Sequence, residues 1–322
     1  MIPAAWAPLR DLPVRTEPGG LINRTFLVGD PPQFVVQRVS RIFGASVHAD
    51  IEAVTAQLAS RGLLTPRLLR TDAGELYTVD EEGEIWRAMN FVPGVCHNRV
   101  SSPVLAEEAG RLVARFHDAL DDFSYDYQHV RLGVHDTPRH MERLAAVATR
   151  ENLLGALDVA DRILAAWQSW EGEEESPARH AHGDLKISNL RFSEEGAGLC
   201  LLDLDTLGKM SLEVELGDAL RSWCNPVGED STDTFFDRSL FEAALRGYGS
   251  LRPLSAAQQD AIAGGVERIC LELAARFCRD VWEDSYFGWN AERFPSRPAH
   301  NLYRARGQLS LGLSVRRFRR QA

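Results

Sequence analysis

Asp184, Asn189 and Asp203 have the types and spacing to carry out phosphoryl transfer. Asp184 follows His182-Gly183, Asn189 comes five residues later, and Asp203 ends the apolar run Leu201-Leu202. Moving a phosphoryl group takes a carboxylate to orient the attacking hydroxyl, and oxygen ligands for the metal ions that bridge the phosphates. Asp184 fits the first role; Asn189 and Asp203 fit the second. Singly, such features are common, since His-Gly-Asp recurs in many chains and an apolar run closed by Asp is an ordinary strand end. The reading rests on the agreement of order, spacing and strand context.

The elements around this constellation read as two lobes. Gly19-Gly20 runs into a strand ending at Val28, Gly29-Asp30-Pro31-Pro32 turns, and Phe34 to Val39 returns. Such a glycine-rich hairpin lets backbone N–H groups approach phosphates. Kinases carry a lysine on the returning strand to pair with ATP phosphates. This strand offers Gln37 and Arg38, of which alternation lets only one face the nucleotide. Ile51, Val54 and Leu58 recur at helical spacing, with Glu52 on that helix as a candidate partner for a phosphate-pairing cation. Further strands are expected over residues 63–69 and 75–79. The strand from Ile85 ends at Pro93-Gly94, as a hinge would, and puts the backbone of Asn90, Phe91 and Val92 against an adenine. Beyond it the periodicity predicts a helix over 102–120, capped by Ser101 or Ser102, and one or two more over 139–164. Asp218 is expected either to brace the catalytic loop or to cap a helix, and residues 239–249 and 255–282 read as amphipathic helix.

Composition narrows the class. The chain has 322 residues, 44% apolar and 25% charged, enough for a full core and two lobes. A net charge of −10 argues against nucleic acid as a partner. No apolar run is long enough to span a membrane, and the first residues lack the pattern of a secretory signal. Cys96, Cys200, Cys224, Cys270 and Cys278 are scattered and never spaced as CxxC, which reads as reduced thiols in a cytoplasmic protein.

The His-Gly-Asp form of the loop resembles the aminoglycoside phosphotransferase-like kinases, which act on small molecules. Islands over nearly the whole length resemble, more narrowly, the N-acetylhexosamine 1-kinases of that superfamily. They are Gly19-Gly20-Leu21-Ile22-Asn23-Arg24-Thr25-Phe26 with Val36-Gln37-Arg38, the catalytic loop with Leu202-Asp203-Leu204-Asp205-Thr206, Gly217-Asp218-Ala219-Leu220-Arg221 with Asn225 and Glu229-Asp230, and His300-Asn301-Leu302-Tyr303-Arg304-Ala305-Arg306. The chain departs from the family pattern at Gly183 and Ser40, where Asn is usual. The resemblance implies ATP and magnesium, with phosphate passed to the anomeric hydroxyl of an N-acetylhexosamine. Carried over, Asp184 resembles the base, and Asn189 and Asp203 the metal ligands, with Asp205 behind them. Lys186 is set to reach a phosphate; Gly19, Gly20, Asn23, Thr25 and Gln37 would meet the nucleotide; Arg304 and Arg306 would line the sugar side.

The fold expected is α+β and protein-kinase-like, with a small antiparallel-sheet N-lobe over 1–92 and a mainly helical C-lobe over 93–322. The expected partner is a small molecule, foremost a sugar. An aminoglycoside, amino alcohol or homoserine-like acceptor is the alternative. Cationic acceptors would call for clustered carboxylates, yet those after residue 230 are dispersed and the last island is basic. A nucleotide-binding scaffold without chemistry would lack the base or a metal ligand, and none of those positions is vacant.

Overall fold

The computed structural model describes residues 2–17, 23–130, 133–149, 151–172 and 176–321. The N-terminal part is an antiparallel sheet of β1 (Val14–Glu17), β2 (Arg24–Val28), β3 (Phe34–Arg38), β4 (Leu68–Leu69), β5 (Thr78–Val79) and β6 (Ile85–Asn90), in the order β1-β2-β3-β6-β4 with β5 also on β6. Alternation gives the sheet two faces. Phe26, Val28, Val36, Trp86 and Ala88 pack with Trp6 on one; Thr25, Leu27, Gln37, Arg87 and Met89 face the cleft on the other. The strands expected over 63–69 and 75–79 shrink to two residues each. Pro66 has no N–H for a ladder, and a tight turn in which the Glu75 carbonyl accepts from the Thr71 N–H takes up the chain between them.

Helix α1 (Val47–Ser60) buries Val47, Ile51, Val54 and Leu58 against the C-terminal part, so one hydrophobic core runs under the cleft. That part holds α2 (Pro103–Leu120), α3 (Thr137–Val147), α4 (Ala156–Gln168), α5 (Leu212–Trp223), α6 (Arg238–Gly249), α7 (Ala256–Glu283) and α8 (Arg297–Arg319). Its short hairpins are β8 (Leu190–Phe192) with β9 (Gly198–Leu201), and β7 (Arg179–Ala181) with β10 (Gly208–Met210). Of the two candidate caps, Ser102 caps α2, its Oγ accepting from the Leu105 N–H at 3.2 Å. The 139–164 region resolves into α3 and α4, which pack with α7 and α8 as a second apolar cluster. Helices α2 and α6 cross closely at Gly247, where a Cβ would lie 1.8 Å from the Glu107 carbonyl oxygen. No helix among the described residues is long and apolar enough to cross a membrane, and all five cysteines are free thiols.

Candidate active site

The catalytic segment is a turn held open at both ends. β7 delivers His182, which is fully buried; its Nε2 lies 2.8 Å from the Leu202 carbonyl oxygen, and its backbone N–H donates to Glu215 Oε1 at 2.6 Å. Glu215 also meets His117 Nε2 at 2.7 Å, and His117 Nδ1 lies 2.9 Å from the Tyr248 hydroxyl. Burial works to raise the Glu215 pKa, but His117 and the His182 N–H hold it below the usual carboxylate range. The Thr206 hydroxyl donates to the His182 carbonyl at 2.8 Å, and the Trp223 indole donates to the Leu185 carbonyl at 2.8 Å. Glu215 thus does the bracing expected of Asp218. Asp218 lies in the middle of α5, so it is no N-cap, and it pairs with Arg221 at 3.4 Å. Gly183 has φ +79°, and a Cβ there would lie 2.4 Å from the Thr206 carbonyl oxygen. Close packing of the two loops therefore favours glycine at this position.

This frame gathers the predicted polar groups. Asn189 Nδ2 donates to the Asp184 carbonyl at 2.8 Å and to Asp184 Oδ2 at 3.1 Å, so its amide oxygen is the atom left to ligate. Lys186 Nζ lies 2.8 Å from Asp184 Oδ2 and 3.8 Å from Asp203 Oδ2. Burial works against the Lys186 charge, but Asp184 and Asp203 outweigh it and raise the pKa. Asp203 sits at φ +59°, and burial, reinforced by Asp205 and Asp184, pushes its carboxyl up. A half-buried carboxylate among others, beside an amide oxygen, is a donor set suited to a hard divalent cation.

Asp205 stands apart from that set. It is 1% exposed and forms a bidentate ion pair with Arg87, in which Nη2 lies 2.9 Å from Oδ2, while Asn23 Nδ2 donates to Oδ2 at 2.6 Å. Burial alone would raise its pKa; Arg87 and Asn23 hold it low. The expected metal role gives way to an inter-lobe clamp, because both oxygens are already engaged. Asn23, expected at the nucleotide, lines the cleft but is spent in the same clamp, its Oδ1 accepting from the Ser40 N–H at 2.8 Å.

Above this floor opens a cavity of about 500 Å³. Gln37 faces it and Arg38 does not. Gln37 Oε1 accepts from Arg87 Nε at 2.9 Å and Nη2 at 2.7 Å, and its Nε2 donates to Thr25 Oγ1 at 3.1 Å. A buried cation, Arg87, thus sits on the strand next to β3 and directly opposite Gln37 in the register. Sequence reading missed it, although an arginine in the apolar run Ile85-Trp86-Arg87-Ala88-Met89 was a signal. Glu52 pairs instead with Arg70 at 3.2 Å and Arg67 at 3.8 Å. Asn90, Phe91 and Val92 line the cavity, but Phe91 N–H donates to the Gln33 carbonyl and the Val92 carbonyl accepts from Arg191 Nε, so those two hinge groups are already used. The Gly19-Gly20 turn lies outside the described residues.

A second cavity of about 310 Å³ lies beside Lys186, lined also by Ser188, Ser222, Asn225 and Glu229. Arg304 is taken up by Asp230 at 2.6 Å and the Gly288 carbonyl at 2.8 Å. Arg306 lines a separate groove with Arg162, Tyr303 and Arg317 and does not join the cluster around Asp184.

Residues 14–254 match the family model described as "APH: Phosphotransferase enzyme family". The chain belongs to this family. Within the phosphotransferase enzyme family it resembles a homoserine kinase of Acidiphilium cryptum (strain JF-5), at 29% identity over 226 residues. That match covers 68% of this chain but only 64% of the homoserine kinase. The fold of this chain is similar to that of an amicoumacin kinase solved with AMP-PNP and Ca2+ (TM-score 0.64, 13% identity, 92% of this chain and 87% of the other). It is equally close to a microcompartment-associated aminopropanol kinase (TM-score 0.65, 17% identity, 96% and 94%). The sheet-and-helix architecture is accordingly the two-lobed, protein-kinase-like α+β fold.

Proposed function

We propose that this phosphotransferase uses ATP with Mg2+ to phosphorylate a small hydroxylated acceptor, foremost the anomeric hydroxyl of an N-acetylhexosamine or related sugar. The observation that carries the reading is the cluster of Asp184, Lys186, Asn189 and Asp203 at the floor of the cleft. In this reading residues 1–92 hold the nucleotide and 93–322 the acceptor. Asp184 accepts a hydrogen bond from the acceptor hydroxyl and takes its proton as the new O–P bond forms and the bond from the γ-phosphorus to the bridging oxygen breaks, releasing ADP. Asp203 and Asn189 would hold the metal ions, which would supply neutralisation of the phosphate charge. Lys186 adds positive charge where the transferring oxygens become more negative. Thr25, Gln37 and the hinge from Asn90 to Val92 shape the nucleotide side, with Gln37 positioned by Arg87.

Charge pairing supports a neutral acceptor. Glu229, the carboxylate on the wall of the second cavity, is already paired with Arg221, and Asp230 beside it is paired with Arg304. An ammonium group would meet no unpaired carboxylate among the described residues of that wall. The alternative acceptor, an amino alcohol or homoserine-like compound, draws its support from the homoserine kinase match. ATP consumption against a panel of both classes, with phosphorus NMR of the product, separates them. An acid-labile anomeric phosphate doublet from N-acetylglucosamine or N-acetylgalactosamine supports the sugar; turnover confined to ethanolamine, aminopropanol or homoserine discards it.

A further inference from the structure

Asn225, just past the end of α5, is 4% exposed, and its amide orientation is fixed by its surroundings. Its Nδ2 donates to the Gly228 carbonyl at 2.8 Å, an atom that can only accept, while the backbone carbonyl of Asn225 accepts from the Gly228 N–H at 3.2 Å. That turn leaves Asn225 Oδ1 buried without a hydrogen-bond partner. Asn225 is also among the residues lining the cavity of about 310 Å³ that Lys186 and Ser188 share, next to the phosphoryl-transfer cluster, so its Oδ1 is buried just behind that wall. A buried acceptor left unpaired is costly, and a ligand that supplies a donor recovers that cost. Glu229, on the same cavity, is already bound to Arg221 at 2.6 Å, so the open valence here is a neutral carbonyl oxygen.

We infer that Asn225 determines acceptor specificity, its Oδ1 taking a hydrogen bond from an O–H or amide N–H of the acceptor substrate, and that a neutral oxygen here selects a neutral acceptor over an ammonium-bearing one. This rests on the phosphotransfer reading above but not on the sugar itself. The test compares wild type with Asn225→Ala and Asn225→Asp, using N-acetylglucosamine and ethanolamine as probes and any better acceptor found in the panel. Asn225→Ala is expected to raise the acceptor KM on the order of tenfold and leave the MgATP KM within about twofold. Asn225→Asp is expected to move the kcat/KM ratio towards the amine on the order of tenfold. Gly228→Ala strains the same turn, at φ +80°, while keeping Oδ1, and controls for damage to the loop. An unchanged acceptor KM in Asn225→Ala, or an equal rise in Gly228→Ala, overturns the inference while the sugar reading stands. Wild-type turnover of amines alone, with the KM rise still present in Asn225→Ala, discards the sugar and the selection of neutral acceptors but keeps Asn225 in the pocket. A wild type that phosphorylates neither class overturns both.

Discussion

At Asp184 the division of labour can be tested one side chain at a time. Asp184→Asn keeps the shape and the hydrogen bonds from Asn189 but removes the carboxylate proposed as the proton acceptor. Its kcat is expected to fall about 10²- to 10⁴-fold, with the MgATP KM little changed, in a coupled ATP-turnover assay. Asp203→Asn acts on the other arm of the cluster. It is expected to weaken magnesium-dependent binding of a non-hydrolysable ATP analogue, seen by calorimetry with and without the metal, and to leave metal-free binding alone. Retained metal dependence would remove Asp203 from the ligand set. Asp205, two residues on, is expected to behave differently, because its oxygens are committed to Arg87 and Asn23.

Between elements, the clamp from β6 to the turn after β9 is the contact to break. Arg87→Met leaves Asp205 buried and uncompensated, and loss of one partner from a buried pair costs about 3–5 kcal/mol. Adding Asp205→Leu is expected to recover much of that loss, since the stranded charge goes with it; a double-mutant cycle by urea unfolding measures the coupling. If the single and double variants are equally unstable, the pair is not the source. The helix crossing offers a second check: Gly247→Ala forces α6 away from the Glu107 carbonyl and is expected to cost about 1–3 kcal/mol in the same assay.

Over the whole molecule, one buried histidine ties stability to pH. His48, on the α1 face that packs under the cleft, is 1% exposed, and burial followed by the nearby Arg87 charge lowers its pKa to about 4. Unfolded, it would titrate near 6.5. Between those values the unfolded chain takes up a proton that the folded protein refuses, so stability present above pH 6.5 is lost as pH falls towards 4. A displacement from 6.5 to about 4 corresponds to about 3 kcal/mol. Urea unfolding of wild type at pH 7 and pH 4.5 is expected to show that loss over and above whatever His48→Phe retains. An equal loss in both proteins would assign the pH dependence elsewhere.

The sequence by itself pointed to the local features: Asp184, Asn189 and Asp203 as candidates by spacing, the hairpin of β2 and β3 by its turn residues, and α2 by periodicity and a capping serine. Each is encoded within a short stretch, where neighbouring residues suffice. Tertiary structure decided which charges meet. Arg87 and Asp205 are 118 residues apart and meet across the two lobes, while His117 and Glu215 are 98 apart and meet inside the C-terminal part, one on α2 and the other on α5. Asp205 looks like a metal ligand in the string because it follows Asp203 by two, yet the left-handed backbone at Asp203 is followed by a turn that sends Asp205 into the wall between the lobes. Burial in a low-dielectric interface then fixes its partner, and no spacing rule contains that information.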